Sequence, residues 1–406
     1  MIRKSSVFFA LILFFSFGAA LLYASDGYTA SLNTPVSITG PDGVCKKVTN
    51  ASATGLSEYI PTASAAEWQS FVAHPPVGVT LAGCAFTWTD RTAAGSRGWS
   101  SIASSADGTK LAAVALSNAV SNTDYIYTSS NSGATWTVRT AAGSRYWDSI
   151  ASSADGTKLA AVEPSASPIY TSSDSGATWT AHAAPGPYTD WNSITSSSDG
   201  TKLAVAGGGY YGGYIYTSSN SGVTWTQRTA AGYHLWTSIA SSADGTKLVA
   251  TGYDSVAPNR SYLYTSSDSG ATWINRTPAG FISNWTLLAS GPFTASSADG
   301  TKLAVTSGSA PLYTSTDSGA TWTARTVSGT VSLSSIAISA DGTKLVGASF
   351  NAGYIYTSND FGATWTQQTA AGSRSWSSVT SSADGTKLGA AAGTPNVGDI
   401  WTGVQQ

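Results

Sequence analysis

The chain has 406 residues, a formal charge of −2 and only 10% charged residues. That balance leaves no basic footprint for nucleic acid. Abundant Gly, Ser, Thr and Ala instead fit turns and pleated faces, as in a rigid secreted scaffold.

The N-terminus reads as an export signal over residues 1–24. Arg3 and Lys4 precede an apolar run from Val7 to Leu22, and Ala24 before Ser25-Asp26 offers a small-residue cleavage point. Cleaved, the protein is secreted; uncleaved, the run is an anchor and the sole expected membrane contact. Either outcome places the remainder outside the cytoplasm. Residues 25–84 form an N-terminal cap segment ending at Cys84, and in an exported chain Cys45 and Cys84 most simply form one disulfide. Closing that 39-residue loop would stabilise the fold by about 4 kcal/mol in the chain-entropy picture. Inside it, Ser64-Ala65-Ala66-Glu67 has capping-box spacing and predicts a short helix with Trp68, Phe71 and Val72 on its apolar side. His-Pro-Pro at His74 ends it.

From residue 85 onward the chain repeats. The tetrapeptide Asp-Gly-Thr-Lys begins at Asp107, Asp155, Asp199, Asp244, Asp299, Asp341 and Asp384, at spacings of 48, 44, 45, 55, 42 and 43 residues. Such a period marks a stacked or ring-shaped repeat protein. Within one unit, Trp147 to Ala154 alternates, Asp155-Gly156 is expected to supply the positive φ angles of a tight two-residue hairpin, and Lys158 to Val162 alternates again. Ile169-Tyr170 then leads into Asp174-Ser175-Gly176 and Thr178-Trp179-Thr180. Here the Asp side chain is expected to accept the N–H two residues on while Gly turns left-handed. Two specified hairpins make a four-stranded antiparallel blade, and both fall on one face of the ring.

The ends decide between an open stack and a ring. Phe86 to Thr92 matches a last strand with no first three before it, and Val397 to Gly403 matches a third strand with no fourth after it. Pairing them predicts an all-β, seven-bladed propeller of four-stranded antiparallel blades over residues 85–406, closed by the two termini and free of the sheet edges an open array exposes.

The segments TSSNSGATW from Thr128, TSSDSGATW from Thr171, TSSNSGVTW from Thr217, TSSDSGATW from Thr265, TSTDSGATW from Thr314 and TSNDFGATW from Thr357 resemble the Asp-box, or BNR, repeats. These occur in sialidase-like, sortilin-type and photosystem-assembly propellers. The resemblance makes Asn131, Asp174, Asn220, Asp268, Asp317 and Asp360 the structural box residues, and it implies a fold rather than an activity. The S-x-A-D-G-T-K segment also looks like the inner hairpin of WD-type repeats.

A sialidase needs, by that resemblance, three convergent arginines, a Tyr-Glu pair and an acid. Glu163 is the one glutamate of the propeller, and Arg91, Arg139, Arg228, Arg276 and Arg325 share one column of the outermost strand, where they repeat around the perimeter. Asp148 and Asp190, beside Trp147 and Trp191, could form an acid pair; surface and turn roles account for most other aspartates. His74, His182 and His234 are scattered, so neither metal nor cofactor is expected. The seven Asp-Gly-Thr-Lys lysines are expected to solvate one rim.

The opposite face carries the crossover loops. They place Trp99, Trp147, Trp191, Trp236, Trp285 and Trp376, with Arg97, Arg145 and Arg374, near the channel mouth. There the indoles either face a ligand or wedge between blades. Ring symmetry breaks at Tyr210 and Tyr211, at Tyr253 to Tyr262 with Arg260, and around Phe281 to Phe293. The reading is a secreted or surface-attached, nonenzymatic binding or adhesion scaffold whose partner is a glycan or another surface macromolecule. A sialidase-like glycoside hydrolase and an assembly factor for a membrane complex are the alternatives.

Overall fold

The computed structural model describes residues 86–405, apart from 118–122, 165–167, 184–185, 187–189, 209–211, 255–260, 279–292, 307–310, 328–330, 351–352 and 394–397, together with strand segments 10–13, 20–23, 36–39, 45–50 and 80–83. The chain divides into two units, residues 1–85 with 406, and residues 86–405. In the first unit Ala10–Leu13 pairs antiparallel with Ala20–Tyr23, and Val36–Thr39, Cys45–Asn50 and Thr80–Gly83 form a three-stranded sheet. The helix expected from Ser64 and the Cys45–Cys84 pairing lie outside the described residues. No helix among the described residues is long and apolar enough to cross a membrane.

The second unit is seven four-stranded antiparallel sheets. Blade 1 is Gly98–Ser104, Leu111–Ser117, Ile126–Ser129 and Thr137–Arg139. The first strands of blades 2 to 7 are Ser149–Ser152, Trp191–Ser196, Leu235–Ser241, Thr294–Ser296, Leu333–Ile338 and Trp376–Ser381. Each of these contacts the next, and that of blade 7 contacts that of blade 1, so they are the innermost strands of a closed ring. Closure is by the expected pairing: Phe86–Asp90 is the outermost strand of blade 7, with Trp401 opposite Asp90 and Gln405 opposite Phe86.

The first hairpin is longer than the tight turn expected. Ser105 N–H donates to Lys110 O at 2.9 Å and Gly108 N–H to Ser105 O at 3.0 Å, leaving a four-residue Ala-Asp-Gly-Thr loop. Only the glycine has positive φ, between 65° and 70° in the seven copies. The aspartate is held otherwise: Asp107 Oδ1 accepts from Ser105 Oγ at 2.6 Å and from Thr109 N–H at 3.0 Å. These bonds favour the ionised form. The serine hydroxyl first, then the threonine N–H, hold the carboxyls of Asp107, Asp155, Asp199, Asp244 and Asp299 down at about 2.

The second hairpin also differs in detail. Asp174 Oδ1 accepts the N–H of Thr178, four residues on rather than two, at 2.9 Å, and Ser172 Oγ accepts the N–H of Gly176 at 2.9 Å. Two consecutive residues turn left-handed, Ser175 at φ 57° and Gly176 at φ 84°. The serine tolerates this because it is tied to the other hairpin, its N–H donating to Thr157 O and its Oγ to Gly156 O. That link confirms that both hairpins occupy one face.

Blade is joined to blade at two levels near the axis. Nearest the axis, a circuit of backbone hydrogen bonds runs from Ala106 N–H to Ala154 O, and on through Ser198, Ala243, Ala298, Ala340 and Ala383 back to Ala106 O, each link 2.7–2.8 Å. Beside it, the Asp-Gly-Thr-Lys lysines bridge rather than merely solvate the rim. Lys158, Lys202, Lys247, Lys302, Lys344 and Lys387 donate from Nζ to the hairpin-aspartate carbonyl of the next blade at 2.8–2.9 Å. Farther out, Arg91, Arg139, Arg228 and Arg325 donate from Nε to Thr402, Thr128, Thr217 and Thr314 of their own blades. Arginines so held stand around the perimeter and do not converge.

The lysine stem lies directly over the next hairpin's glycine. A Cβ at Gly245 would sit 2.8 Å from both Cβ and Cδ of Lys202, at a residue whose φ is +68°. Gly245→Ala is therefore expected to destabilise the propeller by about 2 kcal/mol, read as a lower denaturant midpoint in equilibrium unfolding; an unchanged midpoint would show the blade seam to be loose.

Candidate functional site

The loop face is built where each outermost strand crosses to the next blade. In four crossovers a Thr-Ala-Ala turn of 3-10 helix, residues 92–94, 140–142, 229–231 and 369–371, ends at a glycine of positive φ. The chain then pairs with the preceding blade, Arg97 with Gly398, Arg145 with Asp124, His234 with Gly213 and Arg374 with Gly353. This geometry aims three arginines back at their own turns: Nε of Arg97, Arg145 and Arg374 donates to the carbonyl of Ala94, Ala142 and Ala371.

The rest of each guanidinium is also engaged. Arg97 Nη1 meets Asp124 Oδ2 at 2.9 Å, with Asp124 1% exposed, and Arg145 Nη1 meets Glu163 Oε1 at 2.9 Å. Each group stacks over the aromatic ring of its blade's third strand, Arg97 over Tyr127 at 4.5 Å, Arg145 over Tyr170 at 4.6 Å and Arg374 over Trp401 at 4.6 Å. Asp124 Oδ1 further accepts from Tyr127 Oη at 3.0 Å. Burial first, then the Asp124 carboxylate, push the Tyr127 phenol above its ordinary range. In blade 4 the arginine position holds His234, whose ring stacks on Tyr262 at 4.3 Å. Burial lowers its pKa against the opposing pull of Asp254.

The indoles behind these loops are wedges. Trp99, Trp147, Trp191, Trp236 and Trp376 are all 0% exposed. Trp147 packs on Ala112, Val114 and Ile126 of blade 1 and on Ile150 and Leu159 of its own blade. Trp99, Trp147, Trp191 and Trp236 meet the third-strand tyrosine edge-on at 5.1–5.6 Å. Burying an indole of this kind contributes about 5 kcal/mol in area terms. A ring without exposed surface has no face for a sugar, so the packing reading of this column is the one the geometry follows.

Six copies of the box close the outer hairpins, and residues 355–368 match the BNR-Asp box repeat family model. The chain is a seven-bladed β-propeller that carries Asp-box repeats. Curated proteins give no match to it. Among solved structures, "YCF48 bound to D1 peptide" is similar at a TM-score of 0.55 and 14% identity, over 79% of this chain and 97% of that one. The GH74 xyloglucanase from Xanthomonas campestris reaches 0.54 and 14%, over 79% of this chain and 54% of that one. Kuenenia stuttgartiensis hydrazine synthase reaches 0.57 and 15%, over 77% and 96%. At these identities the likeness is one of fold.

Of the asymmetric loops of the propeller, Tyr210, Tyr211, Arg260, Phe281 and Trp285 lie outside the described residues. Tyr253 is half-buried in the second strand of blade 4, opposite Leu235 and Ser261, and burial raises its phenol pKa. Two aromatics that the repeat columns did not single out are the exposed ones: Tyr146 at 43% and Tyr233 at 51%, both in crossover loops. Tyr233 also meets Tyr214 edge-on at 5.1 Å. Their signal in the sequence is an aromatic just ahead of the wedge tryptophan, in AAGSRYW and AAGYHLW.

Two acidic features complete the propeller's loop face. Ser100, Asn192, Ser334 and Ser377, each directly after a wedge position, donate to the carbonyl of the next blade's tryptophan, Trp147, Trp236, Trp376 and Trp99. Blade 2 has Asp148 in this column, and an ionised carboxylate has no proton to donate. Burial pushes Asp148 up to about 7. At the closure seam, by contrast, Asp90 is raised by burial and then by Asp399, against Arg374, and its buried Oδ1 has no hydrogen-bond partner.

Because Asp148 ionises near 7 folded but near 3.9 unfolded, the native state holds an extra proton between those values and loses stability as pH rises through them. Asp148→Ser, which restores the column's hydroxyl, is expected to match the parent below about pH 4 and to exceed it by on the order of 2–4 kcal/mol above pH 7. Urea unfolding at pH 4 and pH 8 measures this; an equal effect at both values would place the carboxyl in free solvent.

Proposed function

We propose that this propeller is a nonenzymatic binding scaffold of the cell exterior, whose loop face over blades 2 to 4 takes a glycan or another surface macromolecule. The observation that carries the reading is the pair of exposed tyrosines, Tyr146 and Tyr233, among the described residues of the loop face. Tyrosine offers an apolar ring and a polar rim at low conformational cost, as sugar rings and extended peptides require. Arg145, though paired with Glu163, keeps a partly exposed side chain beside Tyr146 and supplies further donors. The export signal read over residues 1–24 supports the location.

Purified protein applied to a glycan array and to cell-surface extracts is expected to give saturable binding. Tyr146→Ala with Tyr233→Ala should weaken it at least tenfold while leaving the unfolding midpoint in place. Binding that survives both changes would move the site off these blades.

A second reading, glycoside hydrolysis, has one specific support, Asp90 at the seam, whose pKa is raised by burial and then by the nearby Asp399. It requires an acid that keeps its proton near a second carboxylate. Sugar release from polysaccharide substrates, abolished by Asp90→Asn, would establish it; no release by the parent protein would remove it.

A further inference from the structure

Four grooves recur between consecutive blades, from blade 1 to blade 5, on the side of the lysine hairpins. In three repeats the outer-strand residue beside the groove is tied down: Arg139 Nε to Thr128, His182 Nε2 to Thr171 and Arg228 Nε to Thr217, each 2.7 Å. The fourth groove, between blades 4 and 5, breaks the pattern. Its outer strand ends one residue early, at Asn275, and the Nε of Arg276 is buried without a hydrogen-bond partner. Where the stems of Arg91, Arg139 and Arg228 touch the next box glycine, the corresponding contacts at Gly319 are Thr265 and Trp322.

We infer that this fourth groove is a binding site for a small oxyanion group, a sulfate, phosphate or carboxylate, gripped by Arg276. A buried donor left unpaired is destabilising, and an oxygen of an anion in the groove supplies the missing acceptor. The planar guanidinium matches two oxygens of such a group, and hydrogen bonds of this charged kind are the strong ones. The cavity measures about 110 Å³ and is lined by Lys247, Thr265, Ser267, Arg276, Asp317 and Ser318 among others. Lys247 spends one ammonium donor on Asp299 O and has two left. Asp317 opposes an anion, yet its oxygens already accept from Thr321 N–H, Thr321 Oγ1 and Ser315 Oγ. Two cations against one carboxylate leave the groove with net positive charge, and the hydroxyls provide neutral donors.

The site lies apart from the loop face and does not depend on what that face binds. Calorimetric titration of the full chain with sodium sulfate, sodium phosphate and sodium glucuronate, at ionic strength held constant with chloride, tests it. Saturable binding of at least one is expected, weakened at least tenfold in Arg276→Gln and unchanged in Arg228→Gln, whose guanidinium is pinned to Thr217. Preference for glucuronate identifies a sugar carboxylate as the source, and preference for sulfate or phosphate an inorganic or esterified anion. Arg276→Lys, which keeps the charge and loses the fork, should be intermediate and serves if Arg276→Gln does not fold. No saturable heat above the chloride control, or equal binding by the parent and the Arg276 variants, overturns the inference.

Discussion

The circuit of peptide hydrogen bonds from Ala106 through Ala383 and back is the constraint on which the other contacts rest. Each hairpin contributes one donor and one acceptor, so each blade is fixed to both neighbours by backbone alone, whatever its side chains. The circuit closes only if every hairpin has the same shape. That shape needs the left-handed glycine and the aspartate bonded to Ser and Thr. The lysine carries the demand outward, since its stem covers the next glycine and its ammonium caps the next carbonyl. One tetrapeptide thus specifies a turn and a seam together.

Farther from the axis the same economy accounts for residues that look functional in isolation. The wedge tryptophans, the crossover arginines and the outer-strand arginines other than Arg276 each resemble ligand-binding groups by type, and each is engaged in packing or pairing. Asp124 shows how tightly: it takes Arg97 and the Tyr127 hydroxyl on its carboxylate, while its backbone exchanges both hydrogen bonds with Arg145. Buried charges of this kind persist only when so satisfied. A regular column of chemistry-bearing side chains around a ring is therefore first a property of the ring.

Much of this architecture is legible in the sequence because propeller contacts repeat with the chain. Blade number, strand order and the closing pairing of Phe86–Asp90 with the last blade follow from counting columns, and the structure has all three. What counting misses is any contact between one repeat and the next. The lysine bridge depends on how neighbouring blades face each other, and a single repeat does not encode that. Phe361 illustrates the limit: it replaces the box serine at φ 54°, a conformation a bulky side chain rarely adopts. It holds there because its ring is buried against Ala295, Leu312 and Ile336 of two blades.

Function in such a ring resides where a column changes. A ligand smaller than the ring contacts two or three blades, so selection acting through it alters those blades alone, whereas selection for closure acts on all seven alike. Each altered position also leaves a physical residue of the contact it gave up. Asp148 replaces a donor with an acid facing the same kind of position, Tyr233 stands where Ser96, Ser144 and Ser373 stand in three other crossovers and Tyr146 where Gly98, Leu235 and Ser375 stand, and Arg276 gives up its threonine. The first costs stability as the pH rises, the second exposes apolar area and the third buries an unpaired donor. A fold that meets these demands in other blades of the same chain had the means to meet them here, which makes the departures informative about binding rather than about folding.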